Sequence, residues 1–260
     1  MSLLSVLIPS RLARGKDGHL FLEHALRSIS EQAGYAGNVQ ILVGVDAGAV
    51  PPADLAGRPG VTFVESAGKS QAAALNAAAQ KAEGEFVAIL EDDDRWSPSF
   101  LMFAFRLLNQ DFDFFSTTQL EVLEDTTVIQ IGDYPIPSTW VMRRALWDKV
   151  GLFNEEYRFH LDNEWLGRLG ETEASRVHAL EATAPMDYGV MKDCRPFLAK
   201  LVRNAKPKLS LARHDSPWPL VARLSHPGSG MAQLGINPDA QARSELEQTQ
   251  LINRFGHSPW

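Results

Sequence analysis

Residues 85–94 read Glu-Phe-Val-Ala-Ile-Leu-Glu-Asp-Asp-Asp, so a continuous apolar run meets four carboxylates with nothing between them. The run is too short for a helix and does not alternate, which predicts a strand buried on both faces. Similar runs occur at 5–8, closed by Pro9, at 39–45, and at 61–64. Between them lie helical patterns. Leu22, Leu26 and Ile29, with Phe21 and Ala25, form one apolar face. Residues 71–82 hold seven alanines, which predicts a closely packed helix ended by Gly84. Buried strands alternating with helices imply a mostly parallel α/β sheet covered on both faces. Ligands of such sheets bind beyond the carboxyl ends of the strands. Ser10, Asp46 and the acidic run Glu91, Asp92, Asp93 and Asp94 all fall there.

Four adjacent like charges repel one another, and a divalent cation relieves the repulsion. Hard oxygen ligands suit Mg²⁺ or Mn²⁺. The competing reading is a solvated loop, or a cap for the helix after Ser97-Pro98. Gly68-Lys69-Ser70 has the end of a phosphate-binding P-loop, but Phe63 stands where that motif needs its first glycine. Lys69 is left as a phosphate contact or an exposed lysine.

Composition removes several classes. With 260 residues, 45% of them hydrophobic and 22% charged, the chain can bury a full core. A single cysteine, Cys194, allows no internal disulfide and fits a reducing, cytoplasmic setting. The net charge of −7 argues against nucleic acid as a partner. Residues 1–9 lack a basic leader and read as a strand, not a signal peptide. No stretch is long and apolar enough to span a bilayer.

The second half predicts strands at 112–119 and 128–131 with a turn at Glu124-Asp125, then a short helix over 143–150 ended by Gly151. Leu161, Trp165 and Leu169 mark one face of a further helix. Asp162 lies near its start, where a carboxylate is electrostatically favoured. Residues 192–223 carry eight bases against two acids, a local +6 that leaves −13 on the rest. That segment reads as a solvated face or as a surface for phosphate, anionic lipid or an anionic acceptor. His226 sits in a turn-rich loop, and 245–255 predicts a terminal helix.

In order and spacing, five segments resemble the family 2 glycosyltransferases. They are 5–10 (Ser-Val-Leu-Ile-Pro-Ser), Asp46, 68–76 (Gly-Lys-Ser-Gln-Ala-Ala-Ala-Leu-Asn), 84–98 with its acidic run, and 143–168 with Leu161-Asp162-Asn163-Glu164-Trp165. The resemblance covers about residues 3–170. It implies a GT-A fold, a Rossmann-like nucleotide-sugar-binding sheet. Pro9, Ser10 and Arg11 would line the nucleotide pocket, Asp46 would read the base, as for uracil, and Lys69 would approach the nucleotide. Glu91-Asp92-Asp93 looks like the D-x-D motif, with Asp92 near the ribose and Asp93 on the metal. Glu91 and His226 complete the implied metal group, and Asp162 matches the general base. The chain departs from the family at Leu161, where the common residue is Glu, at Glu91, where it is Asp, and in a longer 68–76 segment.

The expectation is a metal-dependent, inverting transferase. It would move a sugar from a nucleotide-diphosphate donor, a UDP-sugar on the Asp46 reading, to a hydroxyl of a saccharide or lipid-linked acceptor. One metal cluster and one distant carboxylate favour transfer over hydrolysis, which uses two flanking carboxylates. A silent nucleotide- or sugar-binding module is the alternative, and a nucleotidyltransferase ranks below it. The expected layout is a domain over 1–185, with a nucleotide half (1–98) and an acceptor half (99–185), and a C-terminal extension (186–260) packed on it. Peripheral membrane contact through 192–223 and a homodimer are left open.

Overall fold

The computed structural model describes residues 3–182 and 209–257. Four parallel strands form its first half: β1 (Leu3–Ser10), β2 (Asn38–Val45), β3 (Val61–Glu65) and β4 (Phe86–Ile89). Helices α1 (Phe21–Ser30), α2 (Ala53–Ala56) and α3 (Gln71–Ala79) connect them. Beyond β4 the sheet continues through β9 (Val141–Arg143), β6 (Phe114–Thr117), β10 (Arg176–Leu180) and β11 (Leu209–Arg213). The spatial order is β3-β2-β1-β4-β9-β6-β10-β11, and β9 alone runs antiparallel to its neighbours.

Every residue of β4 is buried, as its unbroken apolar run requires. Successive side chains feed opposite cores. Leu4, Val6, Ile8, Phe86 and Ala88 pack beneath α1 and α4 (Phe100–Leu108). Leu7, Val87 and Ile89 pack with α3, α5 (Arg144–Val150) and α6 (Leu161–Gly170).

The alanines of α3 let it lie directly on the sheet. A Cβ on Gly44 of β2 would stand 2.0 Å from the carbonyl oxygen of Ala74, so backbone meets backbone there. This helix stops at Ala79 rather than at 82. Gly84 does not cap it. A Cβ there would meet Ser5 N at 2.5 Å and Leu3 O at 2.8 Å, so Gly84 serves the close approach of β4 to β1.

The strand expected over 112–119 divides. Thr118 leaves the large sheet, and β7 (Gln119–Leu123) begins a second sheet of order β5-β12-β7-β8. Its other strands are β5 (Arg95–Trp96), β8 (Val128–Gly132) and β12 (Val221–Ser225). The β7–β8 hairpin turns at 124–127, as expected. Strand β12 pairs with β5 through Val221 and Trp96, which brings a late segment beside the acidic run.

A short α7 (Gly230–Leu234) precedes α8 (Pro238–Phe255). The terminal helix starts at Pro238, earlier than the expected 245, because Asn237 caps it by accepting from the amides of Asp239 and Ala240. Its inner face, Ala240, Ser244, Glu247 and Leu251, is buried. Leu251 joins the core beneath α6, and Arg254 pairs with Glu164 at 2.8 Å. Among the described residues no helix is long and apolar enough to cross a membrane. The expected boundary at 185, Cys194, and 192–208 of the basic segment lie outside the described residues.

Candidate active site

The carboxyl ends of β1, β2 and β4 open into one cleft, with the far wall supplied by 136–137, 158–162, β12 and the start of α7. Pro9, Ser10, Arg11, Asp46, Lys69, Glu91, Asp92, Asp93 and Asp162 all line it. His226 reaches its edge through Asp93.

The four acids after β4 have different partners. The Ser10 hydroxyl donates to Asp92 Oδ2 at 2.5 Å and accepts from the Leu12 amide at 3.0 Å. Gln71 donates to Glu91 through its side-chain amide. Asp93 Oδ2 lies 3.0 Å from His226 Nε2. The His226 Nδ1 accepts from the Gly228 amide, so Nε2 carries the proton and donates to Asp93. Asp94 turns inward. Its two oxygens accept from the Ser138 hydroxyl (2.6 Å) and the Leu224 amide (3.0 Å), which ties the acidic turn to β12.

One ligand atom from each of Glu91, Asp93 and Asp94 lies within 4.8 Å of the others. Burial, then the charge of Asp93, pushes the carboxyls of Glu91 and Asp92 up to about 7. A group of carboxylates that holds protons this tightly has more negative charge than its neighbouring cations offset, and a hard divalent cation fits an all-oxygen set. Glu91 and Asp93 have the freer oxygens for it.

Across the cleft, Asp162 occupies the second position of α6 and accepts from the Asn163 amide at 2.8 Å. Burial raises its carboxyl, against the opposing pull of that amide, His160 and Arg223. The buried Tyr134 hydroxyl faces it, and burial followed by the Asp162 charge holds that phenol well above its ordinary range. Leu161 is 5% exposed and packs in the α6 core, so the family departure there places an apolar contact where a carboxylate would be buried.

Sequence reasoning missed several cleft residues. Arg223 was assigned to the basic surface segment. It instead lines the cleft, pairs with Glu121 at 2.8 Å, and faces Asp94 and Glu91. Burial opposes its charge, but Asp94, Glu121 and Glu91 outweigh that and raise it. The signal was a lone arginine inside the β-run Val-Ala-Arg-Leu-Ser. Gln71 and Arg158, and Tyr134 against Asp162, left no comparable signal.

A model of glycosyl transferase family 2 matches residues 5–154. Searched against curated proteins, the sequence has no significant match. Among solved structures, S. aureus TarS 1–349 in complex with UDP is similar at TM-score 0.55 and 13% identity, over 98% of this chain and 72% of that one. The same fragment with UDP-GlcNAc gives 0.60 and 14%, over 97% and 67%. The mannosyltransferase PcManGT from Pyrobaculum calidifontis, in complex with GDP-Man and Mn²⁺, gives 0.51 and 17%, over 78% and 65%. At these identities the likeness is one of fold.

Proposed function

The chain belongs to the family 2 glycosyltransferases and has their GT-A arrangement, and from that premise we propose that it is a metal-dependent, inverting enzyme with Asp162 as its base. The observation that carries the reading is the placement of Glu91, Asp93 and Asp162 around one cleft, with Ser10, Arg11, Asp46 and Lys69 on the same side as the acidic turn.

The donor is a nucleoside-diphosphate sugar. Asp46, at the tip of β2, reads the base, and a uracil N–H suits an aspartate acceptor. Ser10 donates to Asp92, and Asp92 accepts from a ribose hydroxyl. Glu91 and Asp93 would hold Mn²⁺ or Mg²⁺, with His226 orienting Asp93 by its Nε2–H. When bound, the cation supplies Lewis-acid stabilisation of the departing diphosphate. Arg11 and Lys69 add positive charge on the donor side.

The acceptor presents a hydroxyl of a saccharide or lipid-linked saccharide. Asp162 takes its proton as the oxygen attacks the anomeric carbon and the diphosphate leaves. One displacement inverts that carbon. A carboxyl raised by burial suits this role, because a base is more effective as its pKa approaches the working pH. Arg223 lies near both Asp162 and the acids, where it tempers their mutual repulsion.

The test is nucleotide release from UDP-GlcNAc and GDP-mannose with Mn²⁺, for the native chain, Asp93→Ala and Asp162→Asn. Both variants should lose turnover while staying folded. Full activity in both would overturn the assignment. Metal-dependent UDP binding by a native chain that never releases or transfers sugar would favour a silent binding module.

A further inference from the structure

Three consecutive backbone amides converge on one side chain far along the chain. The amides of Arg158, Phe159 and His160 donate to the carboxylate of Glu247 on α8, at 2.8, 2.9 and 3.1 Å. Glu247 is 1% exposed, and Arg243 Nε donates to it at 2.8 Å. Burial works against its charge, but Arg243 and the three amides outweigh burial and hold the carboxyl below its ordinary range. One turn earlier on α8, Ser244 Oγ lies 2.9 Å from His160 Nε2.

What these contacts grip is the entry to α6. His160 immediately precedes the helix, and its carbonyl accepts from the Glu164 amide at 2.9 Å. Asp162 follows two residues later. Arg158 and Phe159 themselves line the cleft, whereas no described residue of α8 does. A free helix start frays, because its first amides have no partners within the helix. Here the amides just before α6 are taken up by a buried anion from another element, so the start of α6 cannot shift without breaking charge-assisted bonds.

We infer that Glu247 is a positioning residue for glycosyl transfer: by gathering the amides of 158–160 it fixes the start of α6 and so the place of Asp162 in the cleft. The inference rests on Asp162 being the base. Gln has the same shape as Glu but only one acceptor oxygen, and its NH₂ would face an amide donor.

The experiment compares the native chain, Glu247→Gln, Asp162→Asn and the double variant. Turnover is read as nucleotide released from UDP-GlcNAc or GDP-mannose with Mn²⁺, UDP affinity by calorimetry, and backbone order by hydrogen exchange over 156–166. Glu247→Gln should speed exchange in that stretch and leave β1 and β4 protected. It should lower kcat about 10- to 100-fold, as a misplaced catalytic group does, with UDP affinity within about twofold of native. The double variant should be no slower than Asp162→Asn, since Glu247 acts through that residue. If the effects multiply, if kcat is native, or if exchange over 156–166 is unchanged, the positioning role is overturned while the base reading stands. Native turnover in Asp162→Asn would remove the base reading and this role with it. Should Glu247→Gln not fold, Ser244→Ala releases only His160, and the same pattern is expected at about threefold. A loss of UDP affinity equal to the loss of turnover would mark a general structural role and overturn the inference.

Discussion

The wall formed by Ser10, Asp46, Lys69 and the acids at 91–94 comes from the ends of neighbouring parallel strands and the loops after them. The facing wall, with Arg158, Asp162 and Arg223, and with Tyr134 set against Asp162, is gathered from separate segments and held by contacts far apart in sequence. Arg223 bonds Glu121, Leu224 bonds Asp94, and the loop before Asp162 hangs on Glu247. The first wall is a product of sheet topology, because parallel strands bring their carboxyl ends to one edge. The second is a product of tertiary packing, and its residues keep their places only through those long-range bonds. On the proposed reading the first wall holds the donor and the second performs the transfer.

The largest effects should separate the two walls. Asp93→Ala should lower transfer by about 10³-fold or more, the scale of a lost metal-ion contribution. It should also remove the Mn²⁺ dependence of UDP binding. Asp162→Asn should lower turnover by about 10²- to 10⁴-fold, the range for a lost general base. It should leave Mn²⁺-dependent UDP binding native. Calorimetry beside a nucleotide-release assay checks both. Loss of UDP binding in Asp162→Asn would break the division between the walls.

Arg223 bridges them. Its side chain is 27% exposed and that of Glu121 is 15% exposed, so the pair is only partly shielded from water. Arg223→Met should cost about 2 kcal/mol, below the figure for a fully buried pair, because Glu121 keeps its bond from Gln130. Turnover should fall about 10- to 100-fold as the repulsion among Glu91, Asp94 and Asp162 rises. Arg223→Lys should recover the charge but not the directed bond to Glu121, and so only part of the turnover.

The same contrast explains what the sequence disclosed. Short apolar runs ending in polar residues made β1, β2 and β4 legible, and with them Ser10, Asp46 and the acids, since a strand and its tip are local facts. The segment 112–119 looked like one strand because its composition is uniform. That it divides at Thr118 depends on which sheet each half pairs with, a long-range matter. Arg223 was counted with nearby bases as a surface, because charge counting does not see which face of a strand a residue occupies. Glu247 and Tyr134 left no trace, since the amides that bond Glu247 lie 87 to 89 positions away and Asp162 lies about 28 from Tyr134.

A weaker effect concerns protons. In metal-free protein Glu91 and Asp92 titrate at about 7, above the 4.5 and 3.8 of the open chain. Between those values the folded state holds protons that the unfolded chain has released. Stability therefore falls as pH rises from 3.8 for Asp92 and 4.5 for Glu91 through about 7, and this contribution is lost above that. Thermal unfolding in EDTA should show it, and Mn²⁺ should add more to the midpoint at pH 8 than at pH 5.5, by about 5 °C. Equal stabilisation at both values would mean that the acids at 91–94 are not what the cation meets.

The smallest effect tests the donor wall alone. The Ser10 hydroxyl is buried and does two things, donating to Asp92 and accepting from the Leu12 amide. Leu12 has φ of 56°, a left-handed conformation that a leucine adopts only when held. Ser10→Ala should release that turn and with it Arg11, whose guanidinium donates to the Gly228 carbonyl in the loop of His226. It should also leave Asp92 with one fewer donor. The cost should be about 1 kcal/mol of stability. Donor KM should rise about three- to tenfold, with kcat within about twofold of native, because the hydrogen bonds of Ser10 go to Asp92 and Leu12 and none reaches Asp162 or the start of α6. A fall in kcat at unchanged KM would show that the two walls move together, and that the donor side does more than hold.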